Sequence, residues 1–349
     1  MKEPKRILVL FGGCSNEHAI SLQSAHAVLT HMDRSRYVPL AVGITRTGRW
    51  LYYPGDLARI ADGTWASTGE GIACTLCLDR GSRKLLLLDG TERELPFDAA
   101  FPVLHGKNGE DGTLQGALEL AGIPVIGCGT LASALCMDKD RAHRLAAAAG
   151  VQVPQSRVLR REEAAGELEQ AAEEVGYPLF VKPVRSGSSF GVTRVEGPSQ
   201  LAEAAKQALE QDDALLLEEA IPGFEVGCAV LGNEELTVGL VDEIELKGGL
   251  FDYEEKYTLK TAAIHCPARI APALARKVQE TAKRLYRALG CRGMARVDLF
   301  LFFFNDTATT EIYTIPGFTA HSRYPAMMQG VGIGFPELVS RLIELGVEA

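Results

Sequence analysis

The chain has 349 residues, of which 46% are hydrophobic and 23% charged, and 36 basic against 45 acidic residues leave a net charge of −9. That length supports two or three domains with a substantial core. The acidic balance argues against a protein that grips a nucleic acid backbone, and no apolar run approaches the ~20 residues of a membrane span.

Ile7–Phe11 is an apolar run too short for a signal core, and Gly12-Gly13 follows it instead of a cleavage site, so it reads as the first buried strand of a cytoplasmic protein. Strand and helix signals then alternate: a helix over Ser21–Met32, a strand over Tyr37–Thr45 and a strand over Phe97–Leu104. A loop over His105–Gly112, a helix over Leu114–Ala121 and a short strand over Ile123–Gly127 follow. Residues 46–95 are irregular and predict hairpins or a surface excursion. Such alternation points to a parallel α/β layer. The texture changes near 138. A charged, then Ala-rich helix over Asp138–Ala149 stops at Gly150, followed by a short strand with Pro154, a helix over 161–175 and the strand Pro178–Val184. Beyond the glycine-rich segment 186–191 come an extended Val192–Val195, a helix with Ser199 as its N-cap, and the strand Ala214–Glu218. The last third predicts strands over Glu225–Leu231 and Arg296–Phe300, strands and a polar loop over 242–263, and a closing helix over Pro336–Leu345. It also predicts an amphipathic helix over Ala273–Leu289 with Leu274, Val278, Leu285 and Leu289 on one stripe and Gly290 as its stop. The eight cysteines are scattered, and the lone CxxC of Cys74 and Cys77 lacks a second pair at zinc spacing, so they read as small buried or neutral thiols.

The sharpest chemical signal is Phe180–Val192. Gly187-Ser188-Ser189-Phe190-Gly191 matches the G-x-S-x-G elbow of α/β-hydrolases, which needs a helix after the serine. The β-branched residues that follow predict a second strand instead. The segment therefore reads as a hairpin tip rich in N–H groups and hydroxyls, able to close over phosphates with Lys182 at its base. No P-loop, G-x-G-x-x-G or H-E-x-x-H sequence is present. Asp298 and Glu311, thirteen residues apart, fit two antiparallel strands that set their carboxylates side by side, as a Mg²⁺ site facing polyphosphate requires. Two solvated surface acids are the plainer alternative.

At these residues the chain resembles the D-alanine–D-alanine ligases of the ATP-grasp superfamily. The match runs through Gly12–His18, His105–Gly116, Cys136–Lys139, Lys182–Gly191, Glu218–Glu225, Glu255–Tyr257, Gly293–Asp298 and Thr314–Pro325. The resemblance implies an α/β and α+β architecture: an N-terminal parallel-sheet, Rossmann-like pre-ATP-grasp domain over 1–137, a central ATP-grasp subdomain over 138–225, and a C-terminal subdomain over 226–349. It implies ATP between the last two, with Lys139 and Lys182 facing its phosphates, Lys256 among the ATP-binding residues, and Gly187, Ser188, Ser189 and Gly191 folding over the γ-phosphate. Glu218, Glu219, Ala220, Ile221 and Glu225 would hold adenine and ribose, and Asp298 and Glu311 the magnesium. It also implies a two-step ligation through an acyl phosphate, in which Arg296 stabilises the oxyanion and Glu17 holds the first substrate's ammonium, joined to Ser188 and Tyr257. His105 would line that subsite, Ser322 would take the second substrate's carboxylate, and Lys256-Tyr257 would lie on a lid. Bland readings stand beside these: Glu17 as a helix N-terminal charge, His105 as a turn residue, Tyr257 as a surface aromatic. The partners implied are D-alanine and a second D-amino acid for peptidoglycan precursor synthesis, with no nucleic acid or membrane, in a homodimer.

Arg323 stands where ordinary family members carry leucine. Together with Phe251–Thr261, it is similar to the vancomycin-resistance ligases, closest to the D-alanine–D-serine type. That makes Asp242, Phe251 and Arg323 the residues expected to shape the second subsite; an ordinary D-alanine–D-alanine ligase is the alternative. Leu301–Tyr313 departs from the family. Phe302, Phe303 and Phe304 fall where a polar turn is expected, and Tyr313 replaces the asparagine of Glu-x-Asn. The family usually holds two Mg²⁺ ions, and a neutral phenol is a poor ligand for the second. This segment predicts impaired activity, or a nucleotide-binding pseudoenzyme. It also resembles sequencing-adapter read-through, which re-reading the source DNA would decide. A serine hydrolase using Ser189 is a third reading, to be tested with a fluorophosphonate.

Overall fold

A computed structural model of the chain describes residues 3–91, 93–246, 262–302 and 306–348. Among the described residues the strands form three sheets. The first contains β1 (Lys5–Gly12), β2 (Tyr37–Ile44), β3 (Trp50–Tyr52), β4 (Ile72–Leu76), β5 (Lys84–Leu87), β6 (Glu94–Pro96) and β7 (Ala99–Pro102), in the order β6-β5-β4-β3-β2-β1-β7. Its centre is parallel, β2 and β7 flanking β1. Residues 46–95, read as irregular, supply an antiparallel extension of four strands, β3 to β6. Ile7 to Phe11 are wholly buried because both faces of β1 are covered: Ile7, Val9 and Phe11 point into one core, Leu8 and Leu10 into the other. Burying five such side chains contributes on the order of 10 kcal/mol before chain entropy is subtracted.

The second sheet is antiparallel, in the order β10 (Thr193–Val195), β9 (Leu179–Pro183), β11 (Ala214–Glu219), β8 (Ser156–Arg160). Helices α6 (Arg161–Val175) and α7 (Pro198–Gln211) give it a core of its own. The third is also antiparallel: β14 (Ala262–His265), β13 (Leu236–Leu246), β12 (Gly223–Gly232), β15 (Gly293–Phe302), β16 (Asp306–Tyr313). One face packs on the amphipathic helix α8 (Pro272–Ala288) and on α4 (Thr130–Met137) and α5 (Lys139–Ala148). The other joins the N-terminal core, where α1 (His18–His31), α9 (Arg323–Gln329) and α10 (Phe335–Val347) meet the first sheet. The first and last thirds of the chain thus share one interior, and residues 105, 110 and 315 lie inside it.

Most predicted stops hold. Gly150 and Gly290 take the left-handed conformation that ends α5 and α8, and Asp138 caps α5 by accepting the Arg141 N–H at 3.0 Å. Ser199 is not a cap. Helix α7 begins one residue earlier, with Gly197 extended and Pro198 in the first turn, where a missing N–H costs nothing. The short strands expected around Pro154 and Ile123–Gly127 shrink to single bridges, Gln152 to Ala308 and Val125 to Ala100. Helices α4 and α9 had no sequence signal of their own; α9 carries Pro325 near its start, where proline is tolerated.

Candidate active site

A cavity of about 770 Å³ opens between the second and third sheets, within the size range of small-molecule sites. Lys182 and Glu218, on the neighbouring strands β9 and β11, line it and pair directly, Nζ to Oε1 2.5 Å, and both are buried. Burial alone would lower the Lys182 pKa, but the charges of Glu218, Glu311 and Glu225 outweigh it and raise it. Lys182 also lies over the Phe180 ring, 5.3 Å from its centroid. The second Glu218 oxygen, Oε2, is buried with no hydrogen-bond partner among the described residues and lies 3.9 Å from His143 Nε2. Glu219 also lines the cavity, and its carboxylate accepts the Gln155 N–H at 2.8 Å. Ala220 and Ile221 line the cavity, the Ala220 N–H donating to Pro178 O at 3.1 Å.

The glycine-rich turn joins β9 to the antiparallel β10, so no helix follows Ser189 and the hydrolase elbow is absent. Ser188 and Ser189 both adopt positive φ, +49° and +58°, a conformation that non-glycine residues rarely take and that clusters at functional sites. The two hydroxyls serve different places. Ser189 faces the large cavity, while the buried Ser188 donates to Glu17 Oε1. Lys139 anchors the turn from α5, donating to Ser186 O at 2.7 Å, and lies 3.5 Å from Glu311 Oε1. Glu17 precedes α1 and is buried. A Cβ on Gly106 or Gly187 would lie 2.4 or 2.8 Å from its Oε2, so both positions need glycine for the carboxylate to sit there.

Asp298 and Glu311 pair directly across β15 and β16, as their spacing predicted. Arg296 grips Asp298 through Nε (2.9 Å) and Nη2 (2.7 Å), and its guanidinium stacks 4.3 Å from the centre of the Tyr313 ring. Tyr313 donates its hydroxyl to Glu311, and burial together with the Glu311 charge drives its pKa well up, so it stays a neutral phenol. Arg323, at the start of α9, forks onto Asp242 through Nε (2.7 Å) and Nη2 (2.8 Å). Its Nη1 reaches Glu225 at 3.0 Å and Asp298 at 3.3 Å. Ser322 pairs with the Thr319 hydroxyl at 2.8 Å. Phe251, Lys256 and Tyr257 lie outside the described residues.

His105 is buried with both ring nitrogens engaged: Nδ1 on Ile315 O and Nε2 on Ser24 Oγ, each 2.9 Å. Burial lowers its pKa to about 4, so the ring is neutral near pH 7. The sequence reading missed Glu110. It accepts the Gly106 N–H at 2.8 Å and the Ile315 N–H at 3.2 Å, and burial, aided by the Glu17 charge, pushes its pKa up to about 8. Its only signal was its place in His105-Gly106-Lys107-Asn108-Gly109-Glu110-Asp111-Gly112, which reads as an exposed polar loop.

A family model described as D-ala D-ala ligase N-terminus matches residues 6–128, and one described as D-ala D-ala ligase C-terminus matches 145–344. The chain is 42% identical over 345 residues to the vancomycin C-type resistance protein VanC1 of Enterococcus gallinarum, covering 99% of each. It is 39% identical over 353 residues to a D-alanine–D-alanine ligase of Caldicellulosiruptor bescii, covering 98% of this chain and 95% of that one. Among solved structures it superposes on the VanG D-Ala:D-Ser ligase from Enterococcus faecalis with a TM-score of 0.92 and 48% identity, covering 98% of this chain and 99% of that one.

Proposed function

The chain belongs to the D-alanine–D-alanine ligase family of ATP-dependent carboxylate–amine ligases, and from that premise we propose that it joins D-alanine to D-serine for peptidoglycan precursor synthesis. The observation that carries the choice of D-serine is the Arg323 fork on Asp242 beside Glu225 and Asp298, together with the 48% identity to a D-Ala:D-Ser ligase. A hydroxyl-bearing substrate needs a fixed polar partner, and a cation locked in place by carboxylates supplies one.

In this reading ATP fills the cavity between the second and third sheets. The orphaned Glu218 Oε2 takes an adenine N–H, and Glu219, Ala220, Ile221 and Glu225 frame base and ribose. Lys139 and Lys182 draw off phosphate charge, with Gly187, Ser188, Ser189 and Gly191 closing over the γ-phosphate. The carboxylate of the first D-alanine attacks the γ-phosphorus and ADP leaves. The amine of the second substrate then attacks the carbonyl, loses a proton and expels phosphate. Glu17, braced by Ser188, holds the first ammonium, Arg296 stabilises the oxyanion, and Ser322 takes the second carboxylate. The family resemblance alone assigns Phe251 to the second substrate and Lys256 and Tyr257 to keeping water from the acyl phosphate. Asp298 and Glu311 fit one Mg²⁺, which when bound would neutralise phosphate oxygens. Tyr313, neutral and donating to Glu311, does not fit as a ligand for a second ion. That same contact favours the second reading, an enzyme slowed at its metal site.

The test is Mg²⁺- and D-alanine-dependent ADP release, with and without D-serine, with the dipeptide identified by mass. D-Ala–D-Ser as main product is the expected result. D-Ala–D-Ala alone would refute the D-serine assignment and keep the ligase. ATP binding without turnover would support the slowed-enzyme reading.

A further inference from the structure

We propose that His105 and Glu110 form a positioning clamp on the Ile315 peptide, locking the segment that leads to Ser322 against the loop that flanks Glu17. Its consequence for turnover rests on the ligase reading above.

Strand β16 ends at Tyr313, so the backbone beyond it enters the core without a ladder partner. Buried N–H and C=O groups must still be paired. Three side chains from the first third of the chain do this. The Ile315 N–H donates to Glu110 Oε1 at 3.2 Å, and the Ile315 C=O faces His105 Nδ1 at 2.9 Å. Ser24 Oγ accepts the Phe318 N–H at 3.3 Å and meets His105 Nε2 at 2.9 Å. The Ile315 carbonyl can only accept, so the proton of the neutral ring lies on Nδ1, and Nε2 accepts from the Ser24 hydroxyl. His105 is 3%, Glu110 5% and Ser24 0% exposed. Glu110 is itself tied down by the Gly106 N–H at 2.8 Å. Phe318 completes the anchorage by packing on Phe101, Tyr324 and Phe335.

This changes the expected part of His105. Neither ring nitrogen has a proton or lone pair left for a substrate, so the residue acts through the backbone it holds. The clamp grips the chain at 315 and, through Ser24, at 318, only a few residues before Ser322. Loosening it should blur the second-substrate subsite while the part of the cavity lined by β9 and β11 keeps its shape.

Glu110→Ala tests this, with Ser24→Ala and Glu110→Gln as milder variants should Glu110→Ala fail to fold. Hydrogen exchange by mass spectrometry on the unliganded chain is expected to show amides of 314–319 exchanging about tenfold faster, the scale of one lost buried hydrogen bond, with β8 and α6 unchanged. Dipeptide assays are expected to show KM for the second amino acid rising about tenfold while KM for ATP stays within about twofold, and Glu110→Gln, which keeps one acceptor oxygen, recovering part of the loss. Unchanged exchange over 314–319 overturns the clamp. Faster exchange with KM raised equally for ATP and both amino acids makes it merely structural and overturns the positioning role. If the wild-type chain forms no dipeptide, the proposed D-Ala–D-Ser synthesis fails, while the exchange comparison still decides the clamp.

Discussion

Replacing Arg323 by leucine perturbs the most heavily shared cation in the site. Its three nitrogens reach Asp242 at 2.7 and 2.8 Å, Glu225 at 3.0 Å and Asp298 at 3.3 Å. Asp242 is wholly buried, and among the described residues it accepts from the guanidinium and from the Gly227 N–H, at 2.9 Å. Leucine fills part of the volume but leaves that carboxylate facing an apolar group. Removing one partner of a buried ion pair costs about 3–5 kcal/mol. At ~2–4 °C per kcal/mol this is a fall in melting midpoint of roughly 6–20 °C. Adding Asp242→Asn removes the worst of the orphaned charge and should restore about half of the loss. The same substitution removes the fixed polar partner of a substrate hydroxyl, so the kcat/KM ratio of D-serine to D-alanine should fall about 10–200-fold. Thermal scans of the wild type, both single variants and the double variant, beside dipeptide assays with each amino acid, check both halves. An Arg323→Leu chain that melts with the wild type and keeps its substrate ratio would refute the argument that this network is both a structural and a selective device.

Three further outcomes follow from the same geometry. Tyr313→Asn frees Glu311 from the phenol and offers a ligand in its place, so Mg²⁺-dependent turnover should rise by ~10²-fold or more, with a lower half-saturating Mg²⁺; no gain in a metal titration would clear Tyr313 of blame. Lys182→Ala should lower kcat/KM for ATP by ~10²–10³-fold, with Lys182→Arg recovering part, since it leaves Glu218 without its cation and the phosphates without a point charge. Glu110 has a folded-state pKa raised to about 8 from 4.5, so the folded chain holds a proton there that the unfolded chain releases, and the stability it contributes is lost as pH rises from about 4.5 to about 8. Glutamine cannot ionise. Urea titrations should therefore show the gap between wild type and Glu110→Gln moving in favour of the variant from pH 5 to pH 9, and a constant gap would exclude an ionising Glu110.

Much of the scaffold could be read from residue order because local physics decides it. Ile7–Phe11 is a continuous apolar run with room on both faces, and Gly150 and Gly290 end helices because a left-handed residue must follow. Asp298 and Glu311 were legible as neighbours because thirteen residues suit two strands and a turn, and the ladder pairs them. The failures have the opposite character. Ser199 is a good cap in isolation, yet Pro198 sets the helix start one residue earlier. Glu110 sits among Lys107, Asn108 and Asp111, and nothing local separates it from these solvent-facing neighbours. It is buried because Ile315, 205 residues later, needs an acceptor. His105 was legible as a candidate, but the partners that occupy its ring, Ser24 and Ile315, were not, since they come from two other segments.

Charge bookkeeping over the site gives these separate observations one cause. Among the described residues Glu17, Glu110, Glu218, Glu225, Asp242, Asp298 and Glu311 are seven carboxyl groups around the site, set against four cations, Lys139, Lys182, Arg296 and Arg323, a surplus of three acids. Three of the seven are handled in different ways. Glu110 is pushed toward its protonated form by burial beside Glu17, Glu311 is bridged by Lys139 and the Tyr313 hydroxyl, and Glu17 takes the Ser188 hydroxyl. Keeping such a surplus in the interior is costly unless a cation arrives to meet it. An amino acid ammonium and a divalent ion are cations of that kind, and they would arrive at different members of the set, Glu17 for the first and the Asp298–Glu311 pair for the second. A site of this composition favours ligands that bring positive charge to the carboxylates and negative charge to Lys139 and Lys182. An amino acid with Mg²⁺ and a nucleoside triphosphate do both at once. Tyr313 answers Glu311 with a neutral proton donor where a divalent ion would bring charge.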